Sequence, residues 1–253
     1  MLSYLRVLAS ALLRPLRAIR RFVKFLIKQQ YQVDGLRHSN LGLDLYNQGL
    51  YDDALKQFSQ ALSYFKKNQD FKNEGTTLSN IGSAYRSIGQ YSNALENYQK
   101  ALSLHLEVMD RKMEGKTLCG IGAVYSLLGQ YSEALRHYNH SLIISREIGD
   151  LCNEAATLSN TGLIYGRLGQ PQKALDKYQE ALKIYRSQNH RNGEAAILNN
   201  LGQTYNELSQ YPEALELHHQ CLNIEIENNH LSGQASSLNN IGCVYRRDNI
   251  QKR

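Results

Sequence analysis

Residues 80–102 read NIGSAYRSIGQYSNALENYQKAL, a stretch in which small and aromatic residues alternate at fixed spacings. Gly82 lies three residues before Tyr85, and Ala94 lies four residues before Tyr98. Two antiparallel helices approach closely where one of them presents only hydrogen or methyl, and a large side chain of the other fills the adjoining space. The stretch therefore predicts a pair of closely packed helices.

The same spacing recurs every forty residues, and residues 120–142 read GIGAVYSLLGQYSEALRHYNHSL. The repeat glycine stands at six positions, which are Gly42, Gly82, Gly122, Gly162, Gly202 and Gly242. Five complete units and the first half of a sixth are present. A single unit cannot bury enough apolar surface to fold alone, so neighbouring units must cover one another.

Each unit contains two segments of helical periodicity. Leu78 and Ile81 lie on one face of a first helix that begins near residue 72, and Gly89 ends it. A second helix then runs from about Tyr91 to Met109. Three of the five junctions before the next unit carry Asp, which can cap a helix, whereas the other two carry His190 and His230, so capping is not expected to be uniform.

These positions resemble the tetratricopeptide repeat, in the glycine and tyrosine of the first helix, the turn glycine and the alanines of the second helix. The usual unit has 34 residues, and the six extra residues lengthen the helices and the connection to the next unit. Asn-x-Gly within forty-residue units looks like the Pins/LGN class of adaptors and like long bacterial arrays. The resemblance covers about residues 31–247. It implies an all-α, right-handed superhelical solenoid of antiparallel helix pairs, whose concave wall of first helices binds peptides or protein segments.

Composition divides the chain into three segments: a basic amphipathic helix over 1–30, the repeat array over 31–247 and a basic tail over 248–253. Seven of the 29 Lys and Arg residues lie in the first thirty residues, which contain no acid. The remaining 22 basic and 23 acidic residues nearly cancel. A near-neutral array argues against binding to nucleic acid, which requires a basic face.

The N-terminal segment has two distinct faces after Pro15. Its apolar face holds Leu16, Ile19, Phe22, Val23, Leu26 and Ile27, and its basic face holds Arg17, Arg20, Arg21, Lys24 and Lys28. No apolar run reaches the roughly 20 residues needed to cross a bilayer. Three interpretations remain open: attachment to an anionic membrane surface, a cap over the first repeat, and an organelle presequence.

Asparagine recurs two residues before the repeat glycine, although it does not favour helix interiors. The five are Asn40, Asn80, Asn160, Asn200 and Asn240, with Gly120 as the gap. In the adaptors that this chain resembles, asparagines at this place grip peptide backbone. The amides could do the same for an extended ligand here, or each could bond a neighbouring helix and only stabilise the array.

Further groove positions follow from helical spacing and from the resemblance. They are Ser83, Arg86, Lys116, Leu127, Leu163, Arg167, Gln203, Asn206, Glu207, Cys243, Arg246 and Arg247. The candidate peptide-binding residues are the five asparagines with Arg86, Lys116, Arg167, Gln203 and Asn206. Five basic residues against one acidic residue favour an extended ligand with acidic side chains, although a solvated basic face is an equally simple interpretation.

The sequence contains no recognisable catalytic or metal-binding arrangement. The four cysteines form no CxxC pair, which suits a reducing cytoplasm. His137, His140 and the pair His218 and His219 lie on second helices, away from the expected groove. We therefore predict a protein without enzymatic activity, cofactor or metal.

The predicted function is a cytoplasmic adaptor that binds an extended protein segment, with peripheral attachment to the inner face of a membrane as an option. One alternative is a scaffold that self-associates through its last helix, where Ile241, Val244 and part of Tyr245 are expected to lack cover. Another is the sensory arm of a larger effector protein.

Overall fold

The computed structural model describes the backbone of residues 2–251 and the side chains of residues 19–249. Over these residues the chain forms eleven helices and no strand. They fall into two compact units, Met1–Asp110 and Arg111–Arg253. The first unit contains α1 (Leu2–Asn47), α2 (Tyr51–Asn68), α3 (Phe71–Ser87) and α4 (Tyr91–Glu107). The second contains α5 (Arg111–Leu127), α6 (Tyr131–Ile148), α7 (Leu151–Arg167), α8 (Pro171–Ser187), α9 (Arg191–Glu207), α10 (Tyr211–Glu227) and α11 (Leu231–Gln251).

The helices pair in chain order, as the forty-residue spacing predicts. In the first unit α1 packs on α2 and α3 packs on α4. In the second unit the pairs are α5 with α6, α7 with α8, and α9 with α10, and α11 packs on α10. The second helix of the quoted stretch ends at Glu107, two residues earlier than expected, because Met109 has a left-handed φ of 54°.

The repeat glycine sets the distance between paired helices. A Cβ atom added to Gly82 would lie 2.9 Å from Cδ1 of Tyr98, and one added to Gly162 would lie 2.6 Å from Cε1 of Tyr178. Such contacts are shorter than van der Waals separation, so each ring occupies the space that a side chain would need. Tyr98 is buried, whereas Tyr85, the other expected large partner, is only half-buried.

The connections between helices confirm most of the predicted turn and cap chemistry. Gly89 has a φ of 78°, and Ser209, which replaces glycine in the last complete unit, is held at 59°. Asp70 accepts a hydrogen bond from the backbone N–H of Asn73 at 3.1 Å. His190 serves as a cap as well, because its Nδ1 accepts from the backbone N–H of Gly193 at 2.9 Å.

The helix α1 runs without interruption from the N-terminal segment into the first repeat. All side chains of residues 19–30 are exposed, and contact with α2 begins at Tyr31 and Gln32, whose partners are Tyr64 and Asn68. The division of the chain at residue 30 therefore stays a prediction about sequence segments. The predicted stripe residues Leu16 and Arg17, and most of the predicted basic tail, lie outside the described side chains.

The expectation that Ile241 and Val244 lack cover is wrong. Ile241 is buried and Val244 is fully buried, because α10 packs on this side of α11 and places Tyr211 and Ala214 against Val244. The exposed side of α11 instead carries Leu238 and Tyr245, which are 57% and 50% exposed.

Candidate functional site

The first helices form the inner layer of the second unit. Among the described residues, the backbone of α7 approaches those of α5 and α9, and the backbone of α9 approaches that of α11. The second helices α6, α8 and α10 reach one another through long side chains, as in the Arg146–Glu180 ion pair and the Arg186–Gln220 hydrogen bond. In a curved stack of helix pairs, the helices that lie closer to one another form the inner surface of the stack. The predicted groove residues on α5, α7 and α9 therefore belong to the inner layer of this unit.

The three asparagines of the second unit have different surroundings. Asn160 donates from Nδ2 to Sγ of Cys119 at 3.6 Å, and Asn240 donates to Oδ1 of Asn199 at 2.7 Å. Both bonds join neighbouring first helices, as in the interpretation in which the amides stabilise the array. Asn200 instead lines a pocket.

This pocket, which we call the α7–α9 pocket, has a volume of about 180 Å³ and lies between two first helices. Its lining is Leu163, Gly166, Arg167, Tyr178, Asn200, Gln203, Thr204 and Glu207. Three candidate residues, Arg167, Asn200 and Gln203, are thus brought together. An amide pair, a guanidinium and a carboxylate offer both donors and acceptors to a ligand.

Tyr178 lines the pocket and belongs to the second helix of the pair. The pKa of its hydroxyl is raised to about 12, first by burial and then by the carboxylate of Glu207, while the guanidinium of Arg167 opposes the shift. The hydroxyl therefore stays protonated at neutral pH and is available as a donor. Gly166 opens the pocket, since a Cβ added there would meet no atom within 4 Å.

The remaining candidates of the second unit lie outside this pocket. Lys116 on α5 is exposed. Asn206 on α9 is half-buried, and its Oδ1 has no hydrogen-bond partner within the described part of the chain. A buried acceptor without a partner costs about 1–3 kcal/mol, so Asn206 is a position where a bound donor would be favourable.

In the first unit the candidates differ in their exposure to solvent. Asn40 is exposed, and Asn80 and Arg86 are half-buried. Burial raises the pKa of Tyr98, and Arg86 lowers it through charge and a hydrogen bond. Ser83 is engaged with the core, because its hydroxyl bonds the Tyr98 hydroxyl at 2.9 Å.

Sequence reasoning missed three residues of the α7–α9 pocket: Gly166, Tyr178 and Thr204. Gly166 was detectable, because it stands at the repeat position that Arg86, Asn206 and Arg246 occupy in other repeats. Tyr178 stands at the repeat position of Tyr98, for which the sequence predicts core packing, and its place in the pocket lining depends on the separation of α7 and α9, which periodicity does not specify. Thr204 donates to the carbonyl of Asn200 at 2.9 Å and so supports that residue from below.

Two larger cavities lie elsewhere in the second unit. One of about 690 Å³ lies between α9, the end of α10 and the turn that follows α10, and is bordered by Asn192, Glu225 and His230. Another of about 440 Å³ is bordered by Arg136, Arg146 and Lys177, each of which is paired with a carboxylate. Volume alone would favour these cavities, but neither lies between two first helices and neither is lined by a predicted groove residue.

The described side chains contain no group of three or more His, Cys, Asp or Glu residues that could hold a metal ion.

His218 is buried in the position that Tyr98, Tyr138 and Tyr178 occupy in other repeats, next to Gly202. Within the described residues, no helix has a stretch that is both long and apolar enough to span a bilayer.

The inner and outer layers of paired helices define an all-α repeat protein of the solenoid class. The tetratricopeptide repeat family model matches residues 36–107, 114–187 and 193–252, and the chain belongs to this family. The predicted family and fold class are thereby confirmed. Such repeats are generally interaction scaffolds without enzymatic activity, so binding to proteins is the general role of this chain.

Solved structures with the same fold are distant in sequence. BtubC from P. vanneervenii has a TM-score of 0.65 and 20% identity, over 78% of this chain and 81% of that one. Aspartyl phosphate phosphatase F from Bacillus subtilis has a TM-score of 0.76 and 15% identity, over 92% of this chain and 62% of that one. A Rap protein complexed with Competence and Sporulation Factor has a TM-score of 0.75 and 15% identity, over 87% and 65%. This chain thus spans less than two thirds of the last two proteins. No curated protein matches the sequence.

Proposed function

We propose that the second unit binds an extended peptide segment of another protein along its inner layer, with the α7–α9 pocket as the central contact. The observation that carries the proposal is the convergence of Arg167, Asn200 and Gln203 on one pocket of first helices. A structural relative, the Rap protein, was crystallised with a bound factor, which is consistent with ligand binding on this fold.

The asparagines are proposed to act unequally. Asn200 lines the pocket and binds ligand main chain, while Asn160 and Asn240 hold adjacent first helices together through Cys119 and Asn199. In this proposal only Asn200 of these three asparagines contacts the ligand, and the other two stabilise the helices around it. Within the second unit, Lys116 and Asn206 would extend the contact. Asn40, Asn80 and Arg86 are proposed to bind peptide within the first unit.

The proposed charge of the ligand follows from the charged groove candidates of the second unit. Lys116, Arg167, Arg246 and Arg247 are exposed, and Glu207 is the exposed acid beside Arg167. We propose a segment with acidic side chains, one of which pairs with Arg167. Replacing the acidic residues of a bound peptide by neutral ones should then weaken its binding, and equal affinity for both peptides would rule out the acidic preference.

The experiment is a selection of peptides from a displayed random library against the full chain, followed by measurement of Kd by fluorescence anisotropy. Each net hydrogen bond contributes about 0.5–1.5 kcal/mol, so Asn200→Ala should weaken binding by about 2–12-fold. The control is Asn223→Ala, the same change at an exposed position of the outer helix α10. If the two variants change Kd equally, or if neither changes the Kd of the selected peptides, the proposed site is refuted.

A second candidate function is a scaffold that self-associates through α11. It is favoured by the exposed Leu231, Leu238 and Tyr245, because the counterparts of the last two on α9, Leu198 and Tyr205, are buried and half-buried against neighbouring helices. A second copy would cover this side of α11, and its contacts are separate from the α7–α9 pocket.

A further inference from the structure

The first part of α1, residues 19–30, contacts no other element of the first unit. Every side chain in this segment is exposed, including Ile19 and Phe22, which are 59% and 61% exposed. An isolated helix that exposes such large apolar side chains to water lacks the burial of apolar surface that would stabilise it. Its apolar face therefore calls for a partner outside the repeat array.

The charges of the segment are all of one sign. Arg20, Arg21, Lys24 and Lys28 are its basic residues, and the first acid after them is Asp34. A helix turns about 100° per residue, so these four lie within an arc of roughly 100–200° measured from Ile19. Phe22, Val23, Leu26 and Ile27 lie within about 80° of Ile19 on either side. The apolar and basic residues are thus separated around the helix over residues 19–28. Of the two residues that follow, Gln29 lies at about −80° and Gln30 at about 20°, within the apolar arc.

The body of the first unit lies on the side opposite the apolar face. Gly35 and Gly42 face α2, since Cβ atoms added there would lie 2.7 Å from Phe65 and 2.5 Å from Phe58. These glycines are roughly 160° and 140° around the axis from Ile19, on the side of the basic residues. A flat surface can therefore approach the apolar face without meeting α2.

We infer that residues 19–30 form an interfacial helix that binds the surface of a bilayer rich in anionic lipid. Its apolar face would enter the boundary between headgroups and acyl chains, and its Lys and Arg side chains would pair with anionic headgroups. Because one uninterrupted helix joins this segment to the first repeat, the bound segment also orients the first unit on the surface. This inference does not depend on the proposed peptide groove.

A bilayer explains the segment better than a protein partner does. Two-stranded helical interfaces usually carry charges of both signs beside the apolar seam, which select the partner. Here the flanking charge is uniformly positive, and each basic residue near an anionic membrane contributes about a fivefold gain in partition. Two kinds of signal, apolar insertion and multiple positive charges, are the combination that gives stable attachment.

The test is flotation of the full chain with vesicles of phosphatidylcholine alone or of phosphatidylcholine with phosphatidylserine. We expect flotation only with phosphatidylserine, and a loss of it at high salt. Replacing Arg20, Arg21, Lys24 and Lys28 together by Gln should reduce partition by about a hundredfold or more. Absence of flotation on the anionic vesicles at low salt would overturn the inference.

The apolar contribution is tested by Phe22→Asp with Leu26→Asp. Its matched control is Leu106→Asp with Ile226→Asp, which adds the same charge at exposed positions of α4 and α10. The first variant should no longer float, and the control should float like the unmodified chain. Equal flotation of the two variants would show that the apolar face does not insert and would overturn the inference.

A fluorescent probe can distinguish insertion from self-association, because the chain contains no Trp. The emission of Phe22→Trp should shift to the blue when anionic vesicles are added, whereas Met109→Trp, at a position 84% exposed in a turn, should not shift. A blue shift of Phe22→Trp that depends on protein concentration and occurs without vesicles would instead identify a second copy as the partner, and the inference would fail.

Discussion

At the scale of the residue, the pairing of a glycine with a large ring decides how closely two helices approach. The five repeat glycines from Gly42 to Gly202 each face a ring, and four of these rings are Phe or Tyr. Gly242 is the exception, since a Cβ added there meets no atom within 4 Å. The same residue type thus has a structural role at five positions and none at the sixth.

We predict that Gly162→Ala lowers the free energy of unfolding by about 1–2 kcal/mol, because the added methyl group would meet the ring of Tyr178. Gly242→Ala is the control, and it should raise stability by up to about 1 kcal/mol through helix propensity alone. Urea denaturation of both variants measures the difference. Similar changes for the two variants would mean that close packing at the glycine does not limit stability.

His218 is the unusual ring in this series, and we expect it to make stability depend on pH. Burial, followed by the nearby charge of His219, lowers its pKa in the folded chain, and its Nδ1 has no hydrogen-bond partner among the described residues. The unfolded chain therefore binds more protons once the pH falls below the ordinary His pKa of about 6.5. Stability is lost on acidification through that value towards the lower folded pKa.

Replacing His218 by Phe, the residue that faces Gly42 in the first repeat, should remove this part of the pH dependence. We expect the difference in unfolding free energy between Phe and His to grow between about pH 7.5 and pH 5.5. Urea midpoints at both pH values measure it, and the variant retains the other histidines as an internal control. A difference that stays constant over this range would show that His218 titrates normally in the folded chain.

At the scale of the element, the sequence predicted helix positions closely because several constraints coincide. Apolar spacing, the turn glycine and the cap residue independently place the start of α3 near Phe71 and the start of α4 at Tyr91. The α7–α9 pocket could not be predicted in the same way, since it depends on the distance between helices of different repeats. The burial of Val244 was misjudged because one neighbouring helix, α10, covers more of α11 than the half-repeat suggested.

The caps offer a prediction at this scale. Asp70→Ala should cost about 1 kcal/mol, because it removes the acceptor for the N–H of Asn73 at the start of α3. Gln90→Ala at the start of α4 is the matched control, since Gln90 makes no side-chain cap bond there and should cost only a few tenths of a kcal/mol. Urea denaturation compares the two, and equal losses would contradict a capping role for Asp70.

At the scale of the whole molecule, three surfaces differ in chemistry and lie on different helices. The first part of α1 is apolar and basic, the inner layer of the second unit is polar with a small pocket, and the outer side of α11 is apolar. In a repeat protein each unit is stabilised mainly by its immediate neighbours, so a surface substitution in one unit leaves the others folded. The surfaces can therefore be altered one at a time.

This separation predicts opposite effects for two similar substitutions. Leu163→Asp, in the α7–α9 pocket, should weaken the binding of a selected peptide by about tenfold or more, because it places a negative charge where an apolar contact and an acidic ligand are expected. It should leave the oligomeric state unchanged. Leu238→Asp should leave peptide affinity unchanged and abolish any association that sedimentation detects at high concentration. If Leu238→Asp sediments like the unmodified chain at every concentration, α11 does not mediate self-association. If Leu163→Asp binds peptide normally, the ligand does not occupy the pocket between α7 and α9.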